Sequence, residues 1–458
     1  MDLEKRARRQ SLRVIISEGV MVLAVIMMVI VLVLVVSGYW LNSDFEVERQ
    51  GMLQISSIPT GASVEVDGES PWFQRTNTSK ILSSGKHTVV ISKDGYDTWS
   101  KTINISEGLL YKLNYPHLFL KERVKEIAFN ATTFTSATVS PNRKLMMLIN
   151  NTTNWSLVDL ENDTIKPTNL NLSSIFTEEP SELPIPINLE ILSLNWDEAN
   201  EHVLVQTNNN SEIVWYLIDV KNPAKSLNLT KTFLKPFGRV SIVDHSAKNL
   251  LVTIGKDLYK AETDSLQLSQ PIVKDVNSYD YYDSEIIYSA NNQIGIIKNI
   301  NKEPTIFIET ESPAKVFFGR FYDTRYIYVI ESNILSVYEE NSDTPIFTSS
   351  LNITPSTVKV GPSSEFLFMN ENNNFVTLDM ESMIINTWST KTNDYHWLDG
   401  HMIYTVLDGV LSIYDFDGLN YRTLSDNVSS QFPVAITNNK WLYYFSNGSL
   451  VREWLIAQ

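Results

Sequence analysis

The chain has 458 residues, with 37 Lys and Arg against 53 Asp and Glu, a formal net charge of −16, and no cysteine. Zero cysteine excludes disulfide frameworks, thiolate metal sites and thiol nucleophiles. The acidic balance argues against nucleic acid as a partner, because phosphate backbones need a basic surface. Hydrophobic residues at 43% and aromatics at 11% supply a buried core and exclude global disorder.

The charge is unevenly placed. In a basic tip over residues 1–13, Lys5, Arg6, Arg8, Arg9 and Arg13 exceed Asp2 and Glu4 by three, which leaves −19 for the rest. An apolar run then extends from Val20 to Val36, and no residue from Gly19 through Tyr39 and Trp40 to Leu41 is charged. At about 1.5 Å per residue that length crosses a hydrocarbon core of about 30 Å. Residues 14–41 are therefore expected to form a transmembrane signal-anchor helix. The competing reading, a cleaved signal peptide, has an apolar region of about 7–15 residues and small residues at its cleavage site. Here the run is longer, and bulky Tyr39, Trp40, Leu41 and Phe45 follow it. Basic residues before the span and Asp44, Glu46 and Glu48 after it predict a cytoplasmic N-terminus and an extracytoplasmic remainder. The lipid bilayer is then a partner, with Tyr39 and Trp40 placed as interfacial anchors.

After a polar linker over residues 42–50, Leu53 and Ile55, then Val64 and Val66, alternate with polar neighbours around the turns at Pro59-Thr60-Gly61 and Asp67-Gly68. Strands of the same kind follow over 84–92 and 98–105, separated by a turn at Lys93-Asp94-Gly95-Tyr96. Residues 51–115 are expected to form a small β-sandwich. The turn Pro59-Thr60-Gly61-Ala62, the strand end Val64 to Gly68 with Asp67, and Gly95-Tyr96 together resemble the PEGA domain. That resemblance implies an extracytoplasmic structural or surface-interaction module of a bacterial or archaeal surface protein, without catalysis. Where the family often has Gly-x-Thr-Pro, this chain reads Glu69 to Arg75.

From residue 116 to 458 the chain is rich in Asn and in short strand-like runs. A unit recurs: an inner strand, a polar turn, an apolar strand, another polar turn, and a strand often ending in Asp. Its anchors fall near Val139, Trp196, Val243, Tyr281, Phe321, Val360, Trp397 and Ile436. A period near 40 residues with four short strands is that of a β-propeller blade, so a propeller of seven or eight blades, loosely similar to WD- and Tol-type repeats, is expected. The longer first interval predicts a loop insertion at about 161–190. Leu450 to Ile456 and Arg123 to Phe129 are the expected halves of the ring closure, since an open sheet edge invites aggregation. The overall fold class is thus all-β, a PEGA-like sandwich followed by a propeller, with one N-terminal transmembrane helix.

A search for chemistry gives no catalytic, cofactor-binding or metal-ligating set. The six histidines lack helical metal spacing, and the Asp415-Phe-Asp-Gly418 turn lacks the remaining ligands of a calcium loop. Asp159, Asp219, Asp379 and Asp415 recur at strand ends and read as turn caps. The aromatic stretches Tyr279–Asp283 and Phe317–Tyr328 read as core packing or as a peptide or glycan platform. Function is therefore expected to be non-catalytic binding or scaffolding at the cell envelope, with a propeller face meeting a protein or cell-wall glycan. The alternative is a glycan-active propeller enzyme, which three or more Asp, Glu, Arg or His side chains converging in the central channel would favour. A sensor would need a membrane partner, because the tip is too short for an output domain.

Overall fold

A computed structural model describes residues 18–33, 39–41, 47–69, 75–150, 154–172, 175, 190–209, 211–243, 247–300, 302–392 and 394–456. Residues 18–33, which include Gly19 and Val20, form an α-helix. Every large apolar side chain from Val20 to Val33 on it is more than half exposed, from 52% at Ile26 to 70% at Met28. Among the described residues no helix is long and apolar enough to cross a membrane. The basic tip and Val36 lie outside the described residues. The helix does not reach Leu41 as expected: Tyr39–Leu41 is a β-strand pairing antiparallel with Val47–Arg49, with Trp40 opposite Glu48. Adjacent aromatic residues at Tyr39 and Trp40 favour extended backbone over helix. The Arg49 guanidinium lies 5.8 Å from the Tyr39 ring centroid.

The chain divides into two compact units, residues 1–122 and 123–457. The first holds two three-stranded sheets. In one, Gly51–Ile55 lies between antiparallel Thr78–Leu82 and parallel Leu110–Leu113. In the other, Gly85–Ser92 lies between Ser63–Val66 and Trp99–Ile105. Alternation buries Leu53, Ile55, Val64, Val89, Ile91 and Trp99, each at 0% exposure, so the period-two pattern translates directly into a core. The unit also extends beyond the expected boundary at 115. Leu118 and Phe119 are fully buried, and the backbone bonds Leu118 N–H to Ile58 O and Asp97 N–H to Phe119 O tie this segment to the sandwich.

The second unit contains, among the described residues, eight four-stranded antiparallel sheets. Their first strands are Ser136–Val139, Glu190–Trp196, Val240–Ile242, Val276–Tyr282, Ala314–Phe321, Thr357–Val360, His396–Trp397 and Ala435–Thr437. Seven sheets are consecutive in sequence. The eighth joins Ala435–Thr437, Trp441–Ser446 and Ser449–Trp454 to Lys125–Asn130 from the start of the unit. Each sheet buries its faces against its neighbours. Met147 and Trp155 of the first sheet pack with Val205 and Tyr216 of the second, and Tyr328 and Val337 of the fifth pack with Leu367 and Val376 of the sixth. Met146 and Leu148 of the first sheet pack against Tyr443, Phe445 and Leu450 of the eighth, so the succession returns to its start as a propeller-like ring. The expected insertion begins later than 161, because Thr168–Asn171 is the outer strand of the first sheet. Residues 173–174 and 176–189 lie outside the described set.

Candidate functional site

The first strands converge on one cavity of about 1030 Å³, lined by residues from all eight sheets. Six charged side chains line it: Arg143, Glu198, Arg239, Asp280, Arg320 and Lys359. Each comes from a different sheet, the first to the sixth in order. Sheets seven and eight contribute Trp397, Tyr404, Val434 and Ala435. No histidine among the described residues lines this cavity.

The local structure explains how each charge is placed. Arg143 sits in the turn after Ser136–Val139 with φ 60, where its amide donates to Ser140 O at 2.8 Å. Its guanidinium makes no hydrogen bond or ion pair with a described residue, and burial pushes it below its ordinary pKa against the pull of Asp399 and Tyr404. Arg239 lies with its guanidinium 4.2 Å from the Tyr279 ring centroid and donates to Tyr279 O at 3.1 Å. Arg320 donates to Tyr322 O at 3.2 Å and pairs with Asp323 at 3.5 Å. Glu198 and Lys359 are exposed and make no side-chain hydrogen bond with a described residue. Asp280 Oδ2 accepts the Phe318 amide at 2.9 Å. Burial raises its pKa to about 6, against backbone hydrogen bonds from Phe318 and Tyr281 and the charge of Arg239. Burial likewise pushes the Tyr404 phenol up to about 12.

The motif residues fall elsewhere. Pro59 follows a cis peptide bond, Ala62 is fully buried, and Gly61, Gly68 and Gly95 take φ of 73, 83 and 80, which explains glycine at those turns. Asp67 also has positive φ. Its Oδ2 lies 2.6 Å from His87 Nδ1 and its Oδ1 accepts the Thr88 amide at 2.8 Å. The His87 hydrogen bond, then the Thr88 amide, hold its carboxyl below the usual range. Tyr96 is buried and bridges Leu120. These residues build the sandwich.

The strand-end acids act as caps. Asp159 accepts the Glu161 amide at 2.9 Å, Asp219 the Asn222 amide at 2.7 Å and Asp379 the Glu381 amide at 2.9 Å, while Asn420 donates to Asp415 at 2.8 Å. None of the four lines the cavity. The two aromatic stretches divide between roles: Tyr279 and Tyr328 are buried, Tyr281, Tyr282 and Phe317 line the cavity, and Phe318 is both buried in the core and at the cavity wall. Residue-by-residue reading did not find the six charges, yet a signal was present. From Glu198 the intervals to Arg239, Asp280, Arg320 and Lys359 are 41, 41, 40 and 39 residues, which is the repeat period.

Residues 50–117 match the family model of the PEGA domain. No curated protein matches the chain. Among solved structures, Kluyveromyces lactis Hsv2 is similar at 8% identity and a TM-score of 0.43, covering 64% of this chain and 98% of that one. Apo AztD from Citrobacter koseri is similar at 11% identity and a TM-score of 0.40, covering 80% and 94%. A chain of the Mitotic Checkpoint Complex is similar at 12% identity and a TM-score of 0.35, covering 74% and 93%. The propeller-like assignment stands on this chain's own sheet order and register.

Proposed function

We propose that this protein is a membrane-anchored binding protein of the bacterial cell envelope. Its PEGA-like sandwich carries an eight-bladed propeller outside the cytoplasmic membrane, and the mouth of the central cavity receives an envelope protein or cell-wall glycan. One observation carries the reading: eight sheets from along the unit deliver side chains to a single cavity. Rigid strands that place polar groups around a concave site are the usual architecture of specific binding. The anchor is supported by the bare apolar helix surface from Val20 to Val33, which suits lipid better than water. The basic residues before it support a cytoplasmic N-terminus.

A second reading, a glycan-active enzyme, is favoured by the charged lining, which meets the criterion of three or more converging charged side chains. An Asp280 pKa near 6 also suits general acid–base work. Binding is preferred because Asp280 is engaged by backbone amides and Glu198 is solvated.

Capture from envelope extracts by the detergent-solubilised full chain tests the proposal, with Thr138→Trp as a variant that fills the cavity wall. A ligand retained by the parent chain and lost by Thr138→Trp is expected. Capture undiminished by that variant would place the site elsewhere, and glycan cleavage without retention would favour the enzyme.

A further inference from the structure

The cavity differs in charge from the protein that surrounds it. The chain carries −16, yet four cations, Arg143, Arg239, Arg320 and Lys359, face only two carboxylates, Glu198 and Asp280. Because sheets one to six each supply one charge, the field is spread over most of the wall. Low-dielectric walls focus such a field and draw in a counter-charge.

Arg143 is the informative member. Its side chain is half-buried, and no hydrogen bond or ion pair with a described residue offsets its desolvation. Asp399 attracts it without forming an ion pair: Asp399 Oδ1 accepts the His401 and Met402 amides, each at 2.7 Å, and its buried Oδ2 has no hydrogen bond among the described residues. A guanidinium withdrawn from water without a partner is unfavourable, and an oxyanion arriving with a ligand removes that penalty. Lys359 likewise has no bonded partner among the described residues. Between Lys359 of the sixth sheet and Arg143 of the first, sheets seven and eight line the cavity with Trp397, Tyr404, Val434 and Ala435, and Trp397 is only half-buried. An aromatic and apolar segment flanked by Lys359 and Arg143 suits a ring-shaped ligand that carries an oxyanion.

We infer that the central cavity takes an acidic carbohydrate, a sugar unit bearing a carboxylate or a phosphate, with its oxyanion drawn in by the cationic lining and held at Arg143, and its C–H face toward Trp397. Arginine matches both oxyanions through paired N–H donors, which a neutral sugar cannot exploit. This inference rests on the reading of the cavity as the binding site.

The test is calorimetric titration of the detergent-solubilised full chain with trigalacturonate, glucose 1-phosphate, inorganic phosphate and maltotriose. At least one acidic sugar is expected to bind more tightly than inorganic phosphate, and at least tenfold more tightly than maltotriose, on the scale of a charge-assisted hydrogen bond. Which of the two binds identifies the oxyanion as carboxylate or phosphate. Arg143→Gln and Arg320→Gln should each weaken that binding about tenfold. Glu198→Gln should tighten it, an opposite-signed change that loss of fold cannot mimic. Lys248→Gln, which breaks a surface pair with Asp264, should leave it unchanged. Failure of both acidic sugars to bind overturns the inference. Equal binding of maltotriose, with the arginine variants unaffected, overturns its charged half, and equal binding of phosphate overturns its sugar half. Binding that survives Thr138→Trp instead defeats the underlying reading of the cavity as the site.

Discussion

Asp197 and His202 show how a single buried pair supports the ring. Both are buried, at 5% and 8% exposure, and Asp197 Oδ2 lies 2.8 Å from His202 Nδ1. Asp197 Oδ1 also accepts the Glu201 and His202 amides at 2.8 and 3.0 Å, which closes the turn between the first two strands of the second sheet. Burial pushes Asp197 up, but these hydrogen bonds outweigh it and hold the carboxyl below its ordinary value. The hydrogen bond from Asp197 holds His202 above its ordinary value. The folded pKa of His202 therefore exceeds the unfolded one, so its stabilisation is complete below about pH 6.5 and is lost as pH rises through the folded value. The Asp197 contribution is present above about pH 4 and is lost as pH falls through its lowered folded value. Thermal unfolding should show Asp197→Ala destabilised by about 1–3 kcal/mol, with a smaller loss of Tm between pH 6 and 8 than the parent chain. An unchanged pH profile would mean that the pair contributes nothing. At this scale the sequence was partly readable: the Asp at each strand end was visible, but its partners two to five residues on were fixed only by the turn.

The element that closes the ring carries a buried ionic cluster. Ser449–Trp454 pairs with Lys125–Asn130, and Leu450 lies opposite Phe129. Glu453 is fully buried. It accepts Arg123 Nε at 2.5 Å and Tyr444 Oη at 2.9 Å, while Arg123 also donates to Leu424 O in the seventh sheet. The N-terminal strand is thus held by both a ladder and a charge. Glu453→Ala, which removes the carboxylate from a guanidinium only 12% exposed, should cost about 3–5 kcal/mol in denaturant unfolding of the full chain. Recovery in the double variant Arg123→Met with Glu453→Leu would separate the buried charge from the ladder, and no loss in the single variant would deny the cluster a role. The closing strands were legible because both are short strand-like runs that lie at the two ends of the repeat. Thr78–Leu82 and Leu110–Leu113 were not: the first alternates weakly, and the second pairs in parallel with a strand far away in sequence.

For the whole molecule, periodicity carried most of the architecture. Seven of the eight anchors read from the sequence fall within first strands, and Val243 follows directly on Val240–Ile242. The period also encoded the cavity, but a charge on an innermost strand or in the turn beside it looks like any surface charge until the strands are brought to a common centre. The first unit ends at Glu122 and not at 115, because Leu118 and Phe119, placed after the expected boundary, are buried in the sandwich.

Binding of a ligand in the central cavity shields particular turns and strands of the ring from solvent. Hydrogen exchange of the full chain with and without its captured envelope ligand tests such binding most directly. Protection is expected at the turn after Ser136–Val139, at the turn that holds Glu198, and along Val276–Tyr282 and Ala314–Phe321, which supply Arg143, Glu198, Asp280 and Arg320 to the cavity. Protection confined to outer strands or to the sandwich would contradict binding in the cavity.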